Sequence, residues 1–436
     1  MTKSPREFTS FKSRYYQKIW NLCGVFKHSV IYLFSTLLNR AVPLLLLPIL
    51  TRLLTPAEYG TIVMIQVFLS FFQSLLGGLN VNISKNYFSM GRYRFESYMT
   101  AVFVVLFILF LSSTMLSLLY LAIDLPLFGL SRNWYLAMPI LSCASMANML
   151  NLTMMRTEGR ANSYAAWEIS NGIMGLGLTL LLLLVFQLGW SARAYGLVVP
   201  MLIYGGLGGI ALYRQGKLPL RFRWLDVKAT LFVTLVLIPH SLSGFIVALI
   251  DRIFLKEMVS IDEVGIYTIG YQFGTITMLI TTAFLKAWQP WFFEKMASGS
   301  VNGRAEIARN TWIYFGILLV GSILYLFMAY FLLPYFVDER YWEARSVLMP
   351  LILASVAYGG YQIFFPYLIH LKLTHVLAVA TPIAALINVA LNFILVPKFG
   401  MMGAAYATLA AYISTFVFVA TVSCSRISLP WFSWRH

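Results

Sequence analysis

The sequence has few charged residues. Only 11% of its 436 residues are Asp, Glu, Lys or Arg, whereas a soluble domain has roughly 25%. The shortage extends along the whole chain, and no polar stretch is long enough to fold as a separate soluble domain. Hydrophobic residues make up 60% of the chain. Water cannot be the main solvent for such a surface, so the composition excludes an ordinary soluble protein.

The patterns that carry catalysis or metal binding are also missing. The three cysteines, Cys23, Cys143 and Cys424, are scattered in or beside apolar stretches, so they predict neither a disulfide framework nor a zinc site. The sequence contains no Walker loop, no histidine cluster with metal-ligand spacing and no nucleophile triad. We therefore expect neither an enzyme nor a bound metal.

Acidic residues are scarce beside basic ones, 16 against 32, which gives a net charge of +16. In a soluble protein this balance would suggest a nucleic-acid partner. Lys and Arg collect in the cytoplasmic loops of membrane proteins, and we interpret the charge in this way, without nucleic acid. Residues 1–27 are basic and aromatic and lack the apolar core of a cleavable signal. They predict a short helix lying on the cytoplasmic leaflet, or alternatively a disordered basic tail.

The apolar runs are long enough for about twelve membrane crossings. One crossing by a helix needs about 20 apolar residues. The runs predict segments at 28–52, 59–84, 98–122, 134–155, 162–187, 193–213, 229–254, 264–288, 311–335, 346–370, 374–396 and 402–424. With the N-terminus inside, 23 of the 32 Lys and Arg fall on the inner side, 8 fall outside, and Arg40 lies within a span. This bias predicts a multi-pass protein with both termini in the cytoplasm.

The most basic loop lies at the middle of the chain, with six segments on each side. We predict an N-terminal lobe over 1–213, a cytoplasmic linker over 214–228 and a C-terminal lobe over 229–436. Because each half has an even number of segments, the two copies of a repeat would be parallel. The predicted fold is all-α, with two pseudo-symmetric six-helix lobes facing each other across a central cavity.

Short internal matches support this repeat. Arg52 corresponds to Arg252 at an offset of 200, and Gly60 corresponds to Gly265 at an offset of 205. Ala194-Tyr195-Gly196 corresponds to Ala405-Tyr406-Ala407 at an offset of 211. Two lobes around a cavity form the architecture of an alternating-access transporter.

Several longer runs resemble a known family. They are LPILTRLLTPAEYG at 47–60, NVNISKNYF at 80–88, ALIDRIFL at 248–255, EVGIYTIGYQ at 263–272 and NFILVPKFGMMGAAYATLAAYI at 392–413. These runs are similar to those of the polysaccharide-repeat flippases, the Wzx-type O-antigen transporters of the multidrug/oligosaccharidyl-lipid/polysaccharide superfamily, although the family often has Arg where Lys85 stands. The resemblance extends over nearly the whole chain and implies a MATE-like fold.

The resemblance implies transfer of undecaprenyl-diphosphate-linked oligosaccharide from the cytoplasmic to the periplasmic leaflet of a bacterial inner membrane. It also implies a proton or sodium gradient as the driving force, in place of ATP, and no other cofactor. The expected partners are this lipid-linked oligosaccharide, membrane lipids, and the polymerase and chain-length machinery of surface polysaccharide synthesis. We expect the transporter to be a monomer.

An anionic head group must cross roughly 30 Å of hydrocarbon, so cationic and polar groups are expected at membrane depth. Arg40 and its neighbour Asn39, at the centre of segment one, are the predicted substrate-binding residues. Alternatively, Arg40 pairs with a neighbouring helix, for which Glu168 is a candidate. Glu168 is the one acidic residue placed within a span away from its extreme end. It fits a coupling carboxylate or a partner for a buried base.

Other residues of interest lie near segment ends. Asp251 and Arg252 point about 100° apart on a helix, which predicts different partners and favours a structural or gating ion pair across the lobes over substrate contact. Lys85 and Lys286 occupy corresponding ends of segments two and eight, where they would gather the anionic head or simply set topology. His240, which follows Pro239, is either a proton-sensitive group or a hydrogen-bonded core histidine.

Two other classes remain as alternatives. A multidrug or small-cation extruder of the same superfamily should carry more carboxylates at membrane depth, and the peptidoglycan-precursor flippases usually have two further helices. A membrane enzyme such as a polymerase generally has a large periplasmic loop, and none of the predicted outer loops is long enough to form a domain.

Overall fold

The computed structural model describes residues 31–32, 34–35, 38–39, 42–123, 130–219, 221–297, 301–427 and 429–431. These residues form helices joined by short connections, with no strand among them. The α-helices are α1 Val42–Leu53, α2 Pro56–Leu76, α3 Ile83–Ser89, α4 Arg92–Ile123, α5 Arg132–Thr157, α6 Ala161–Leu184, α7 Trp190–Arg214, α8 Trp224–Met258, α9 Ile261–Gly274, α10 Ile276–Ala297, α11 Val301–Phe336, α12 Leu348–His370 and α13 Thr374–Arg426. Two 3-10 helices cover Gly77–Asn80 and Glu339–Arg345.

The described helices account for twelve passes through the bundle. Within the described residues, 9 helices are long and apolar enough to span a membrane. The 53-residue helix α13 bends at Gly400 and passes twice. The helices α9 and α10 together make one more pass, and α1 belongs to another. This confirms the predicted all-α membrane fold; which end of the bundle faces the cytoplasm stays a prediction from the charge count.

Two glycines show that the two halves repeat each other. Gly189 precedes α7 with φ 56° and ψ −138°. Gly400, at the bend of α13, has φ 52° and ψ −133°. Positive φ is readily accessible only to glycine, and the separation of the two residues equals the 211-residue offset expected from the sequence. Each lies against a glutamate of its own half: Glu58 beside Gly189, and Glu263 beside Gly400.

The same two glutamates belong to the N-terminal turns of α2 and α9. The Thr55 hydroxyl accepts a hydrogen bond from the Glu58 N–H at 3.3 Å, and the Ser260 hydroxyl accepts one from the Glu263 N–H at 3.2 Å. Each hydroxyl satisfies a backbone N–H that has no partner within the helix. The two helices therefore begin in the same way, 205 residues apart.

The helices α2 and α9 cross at these N-terminal turns with almost no space between them. A Cβ on Gly60 would lie 2.1 Å from the Ile261 carbonyl oxygen, and a Cβ on Gly265 would lie 2.2 Å from the Pro56 carbonyl oxygen. Gly60 corresponds to Gly265, and Pro56 corresponds to Ile261. The contact is thus reciprocal, so the pseudo-two-fold axis that relates the two halves passes between α2 and α9.

Further contacts seal this end of the bundle, called here the Tyr341 end. The Tyr341 hydroxyl donates to the Leu54 carbonyl oxygen at 3.0 Å, and the Arg340 guanidinium donates to the Thr51 carbonyl oxygen at 3.1 Å. Tyr341 and Leu54 are fully buried in an apolar core that draws residues from both halves. Past Thr275, α10 packs mainly on α11 and α12, and its contacts with α2 are few at most. The halves are therefore tightly joined at the Tyr341 end, and α2 separates from the α9–α10 pair towards the opposite end.

Candidate functional site

A polar cavity of about 280 Å³ lies within the N-terminal half, among α5, α6, α7 and the residues around the start of α1. Its polar lining consists of Asn39, Ser145, Asn148, Asn171 and Arg193. Asn39 packs against Gly172 of α6, which has no side chain. The Asn39 Oδ1 lies 2.1 Å from the position that a Cβ on Gly172 would occupy. The glycine therefore admits the Asn39 amide to the cavity wall.

Arg193 supplies the positive charge of this cavity. It lies in the first turn of α7 and is only 6% exposed. Its Nη1 donates a long hydrogen bond of 3.4 Å to the Thr179 hydroxyl. Among the described residues, no carboxylate lies within salt-bridge distance of it. A guanidinium stays charged in proteins, and a buried charge without a counter-charge is costly, so the cavity is suited to receive an anion.

The amide groups around Arg193 are held in place by neighbouring helices. The Trp167 indole N–H donates to the Asn148 Oδ1 at 2.8 Å, which fixes the orientation of that amide. The Gln73 amide of α2 donates to the Ser145 hydroxyl at 2.9 Å. The cavity wall thus combines one guanidinium with several oriented amide and hydroxyl groups, which suits a phosphate and the hydroxyls of a sugar.

The predicted substrate-binding residues meet different outcomes. Asn39 lines the cavity, as its prediction requires, and Arg40 lies outside the described residues. Lys85 in α3 and Lys286 in α10 are exposed, and neither lines the Arg193 cavity. The structure therefore does not bring the two lysines to this site.

Glu168 lies on α6, one turn before Asn171 and Gly172 of the cavity wall. It is half-buried and interacts with a neighbouring group. Its role as a coupling carboxylate stays a prediction.

Asp251 and Arg252 form a sealed network in the other half. Besides separate partners, which the sequence predicted, the two side chains pair with each other, because the Arg252 side chain is long enough to fold back and donate to the Asp251 Oδ1 at 2.6 Å. Asp251 also accepts a hydrogen bond from the Tyr267 hydroxyl, and the Arg252 guanidinium carbon lies 3.9 Å from the ring centroid of Tyr271. The pair is fully buried. It lies within the C-terminal half and does not bridge the lobes as expected.

His240 was predicted to be either a proton-sensitive group or a hydrogen-bonded core histidine, and the structure does not place it in the core. It is exposed, one position after Pro239 on α8. Its Nδ1 is 3.1 Å from the hydroxyl oxygen of Thr381 on α13. The histidine therefore links two helices at the surface of the chain.

Arg193 is the site residue that the sequence interpretation missed. Segment six was predicted to begin at residue 193, so Arg193 was counted on the outer side, at the very end of a span. The helix instead begins at Trp190, directly after the positive-φ Gly189. This shift of three residues places Arg193 within the first turn of the helix, where it is buried. Gly189 was the available signal, because it repeats Gly400 at the offset already visible in the neighbouring Ala-Tyr matches.

The two pseudo-symmetric lobes define a multi-pass membrane protein with the fold of the MOP superfamily. A multidrug resistance MATE family transporter of this superfamily, in an inward-facing conformation, has a TM-score of 0.68 and 14% identity, covering 90% of this chain and 95% of that chain. The lipid II flippase MurJ, in an inward closed conformation, has a TM-score of 0.68 and 15% identity, covering 91% of this chain and 87% of that chain.

Sequence comparison gives the family. The model of the polysaccharide biosynthesis protein family matches residues 25–296, and the chain belongs to this family. A relative from Haemophilus influenzae, the Lsg locus putative protein 1, is 25% identical over 307 residues, which cover 68% of this chain and 72% of the relative.

Proposed function

We propose that the protein is a flippase for undecaprenyl-diphosphate-linked oligosaccharide repeat units of O-antigen or a related surface polysaccharide. In this proposal it moves them from the cytoplasmic to the periplasmic leaflet of a bacterial inner membrane and catalyses no reaction. Membership of a polysaccharide biosynthesis family and a fold shared with a lipid II flippase support this proposal. The observation that carries it is Arg193, a buried guanidinium that opens on a polar cavity and has no described carboxylate within salt-bridge distance.

The cavity suits the head group of such a lipid. A guanidinium presents parallel N–H donors that match phosphate oxygens, and the amides of Asn39, Asn148 and Asn171 can bond the hydroxyls of the adjoining sugar. The volume of about 280 Å³ is just below the usual range for ligand pockets, roughly 300–1,000 Å³. It fits the diphosphate and its first sugar, and the rest of the oligosaccharide would extend into the space between the lobes.

Transport would proceed by alternating access. The charge distribution predicts that the Tyr341 end is periplasmic, so this conformation would receive the head group from the cytoplasmic side. Opening the Tyr341 end requires the reciprocal contact at Gly60 and Gly265 to separate and Arg340 to release its backbone carbonyls. Bound substrate can shift this equilibrium only by binding one state more tightly than the other, and a proton or sodium gradient would supply the direction.

A reconstituted assay tests the proposal. Purified protein would be inserted into liposomes with a fluorescent undecaprenyl-diphosphate oligosaccharide, and its exchange between leaflets would be followed with a membrane-impermeant quencher. We expect Arg193→Ala to slow exchange at least tenfold, because the diphosphate loses its counter-charge, and Arg193→Lys to retain part of the rate. The control is Arg214→Ala, which removes the exposed arginine at the other end of the same helix and should leave the rate unchanged.

Two results would contradict the proposal. One is a wild-type rate no faster than that of protein-free liposomes. The other is full exchange by the Arg193→Ala variant at equal protein insertion. In cells, loss of the gene should leave lipid-linked repeat units in the cytoplasmic leaflet, whereas their accumulation in the periplasmic leaflet would point to a later step of the pathway.

A further inference from the structure

A second, smaller polar cavity lies at the end of the bundle opposite Tyr341, where α8 begins. Its volume is about 110 Å³. It lies between the first turns of α8 and three elements of the N-terminal half: the 3-10 helix Gly77–Asn80, α3 and α4. The side chains that give it its polar character are Asn82, Asn86, Tyr98, Asp226 and Thr230.

Asp226 is the charged group of this cavity. It is 8% exposed, and its Oδ2 has no hydrogen-bond partner among the described residues. None of the described Lys or Arg side chains lies within salt-bridge distance of it. The nearest basic residues along the chain, Arg223 and Lys228, are exposed. Its position in the first turn of α8 favours a negative charge, but the helix does not provide a partner for its unpaired oxygen.

The other polar groups of this cavity are neutral amides and hydroxyls. The Tyr98 hydroxyl lies close to the side chains of Asn86 and Thr230. Tyr98 and Thr230 are buried, and Asn82 and Asn86 are half-buried. The cavity therefore places one carboxylate among amide and hydroxyl groups of three different elements.

We propose that this cavity binds a sodium ion, with Asp226 as its charged ligand. A buried carboxylate without a partner carries a large desolvation cost, which a single positive charge would offset. Neutral oxygens complete the shell of a hard monovalent cation, whereas calcium sites usually recruit several carboxylates. The volume leaves room for the ion and about two or three waters, since each water takes roughly 30 Å³.

An ion at this location would hold α8 against the N-terminal half. Asp226 and Thr230 belong to α8, whereas Asn86 and Tyr98 belong to α3 and α4, so the ion would bind the two halves to each other. Nearby, a Cβ on Gly78 would lie 2.6 Å from the Thr234 Cα, which shows how closely α8 lies against the N-terminal half. Sodium would stabilise this contact, and its release would loosen it. A role for that step in transport rests on the proposed function, but binding of the ion does not.

Equilibrium binding tests the site. Purified full-length protein in detergent, without lipid-linked substrate, would be titrated with radioactive sodium, and its melting temperature would be compared in sodium chloride and in N-methylglucamine chloride at equal ionic strength. We expect saturable binding of one ion and a sodium-dependent rise in melting temperature. Asp226→Asn should weaken binding at least tenfold. The control is Asp262→Asn, which removes an exposed aspartate from the first turn of α9 and should bind sodium as the wild type does.

Thr230→Val provides a milder second variant, because it removes one oxygen and keeps the side-chain shape. We expect it to weaken sodium binding about threefold to tenfold, and it decides the matter if Asp226→Asn does not fold. Absence of sodium binding by the wild type, or unchanged binding by the folded variants, would overturn the proposal. A wild type without a sodium response, combined with a more stable Asp226→Asn protein, would show that the carboxylate is an uncompensated charge and not a sodium ligand. Loss of lipid exchange with intact sodium binding would count against the flippase and not against this site.

Discussion

In the N-terminal half the buried Arg193 opens on a polar cavity and has no described carboxylate within salt-bridge distance. In the C-terminal half the buried Arg252 is paired with Asp251 and covered by the ring of Tyr271. Both arginines lie near the Tyr341 end of their helices. The difference indicates that one half keeps a positive charge for a ligand, whereas the other neutralises its charge internally.

The scaffold around these arginines is, by contrast, the same in both halves. Thr55 and Ser260 cap α2 and α9 alike, and Gly189 and Gly400 share one backbone conformation. A repeated scaffold with unequal charges explains how two similar lobes can hold different roles. Substitutions at the two arginine sites should therefore have different effects in the two halves. Equivalent substitutions in the repeated scaffold should have similar effects in both halves.

The largest expected effect comes from breaking the internal pair with Asp251→Asn. This change leaves Arg252 buried and unpaired, which costs about 3–5 kcal/mol of unfolding free energy. Denaturant unfolding in detergent measures it. The double variant Asp251→Leu with Arg252→Leu removes both charges and should recover most of the loss. A single variant within about 1 kcal/mol of the wild type would show that the pair is not sealed from solvent.

The next effect concerns the glycine contact between the lobes. Gly60→Ala and Gly265→Ala each place a methyl group against a backbone carbonyl that cannot turn away. Each should destabilise the closed Tyr341 end by about 1–3 kcal/mol, and by similar amounts because the contact is reciprocal. The control Gly244→Ala adds a methyl group in open space.

Opening of this end can be followed with a cysteine at position 51. Thr51 is fully buried at the Tyr341 end, where its hydroxyl accepts a hydrogen bond from the Asp338 N–H. Thr51→Cys, in a chain whose native cysteines are replaced by serine, therefore reports opening by its reaction rate with a polar thiol reagent. Faster labelling in both alanine variants and unchanged labelling in Gly244→Ala are expected. Clearly unequal rates for Gly60→Ala and Gly265→Ala would contradict the reciprocal contact.

The smallest effect comes from the two helix caps. Thr55→Ala and Ser260→Ala each remove a hydroxyl that accepts a backbone N–H, which costs about 1 kcal/mol. Ser131→Ala, at the start of α5, is the control because the Ser131 side chain makes no such bond. Unfolding free energies should fall by similar amounts for the two cap variants and change little for the control. A cost confined to one cap would break the equivalence of the two halves.

The sequence predicted the scaffold better than the charges. Twelve crossings and the offsets of 205 and 211 were predicted from hydrophobic runs and short repeated motifs. Both features act directly on the backbone, because apolar runs determine the membrane crossings and glycines permit the close contacts and bends. Arg193 was misplaced because a span boundary moved by three residues, and hydropathy alone does not locate a helix end to that accuracy. The pairing of Asp251 with Arg252 was missed because the angle between adjacent positions on a helix ignores the length and flexibility of an arginine side chain.

The most direct test of the charge assignment is the affinity of the purified protein for undecaprenyl-diphosphate oligosaccharide, compared with the same oligosaccharide on an uncharged undecaprenyl carrier. If Arg193 holds the diphosphate, Arg193→Ala should weaken binding of the charged lipid about tenfold to a hundredfold and leave binding of the uncharged lipid unchanged. Equal affinity of the wild type and Arg193→Ala for the charged lipid would contradict the assignment.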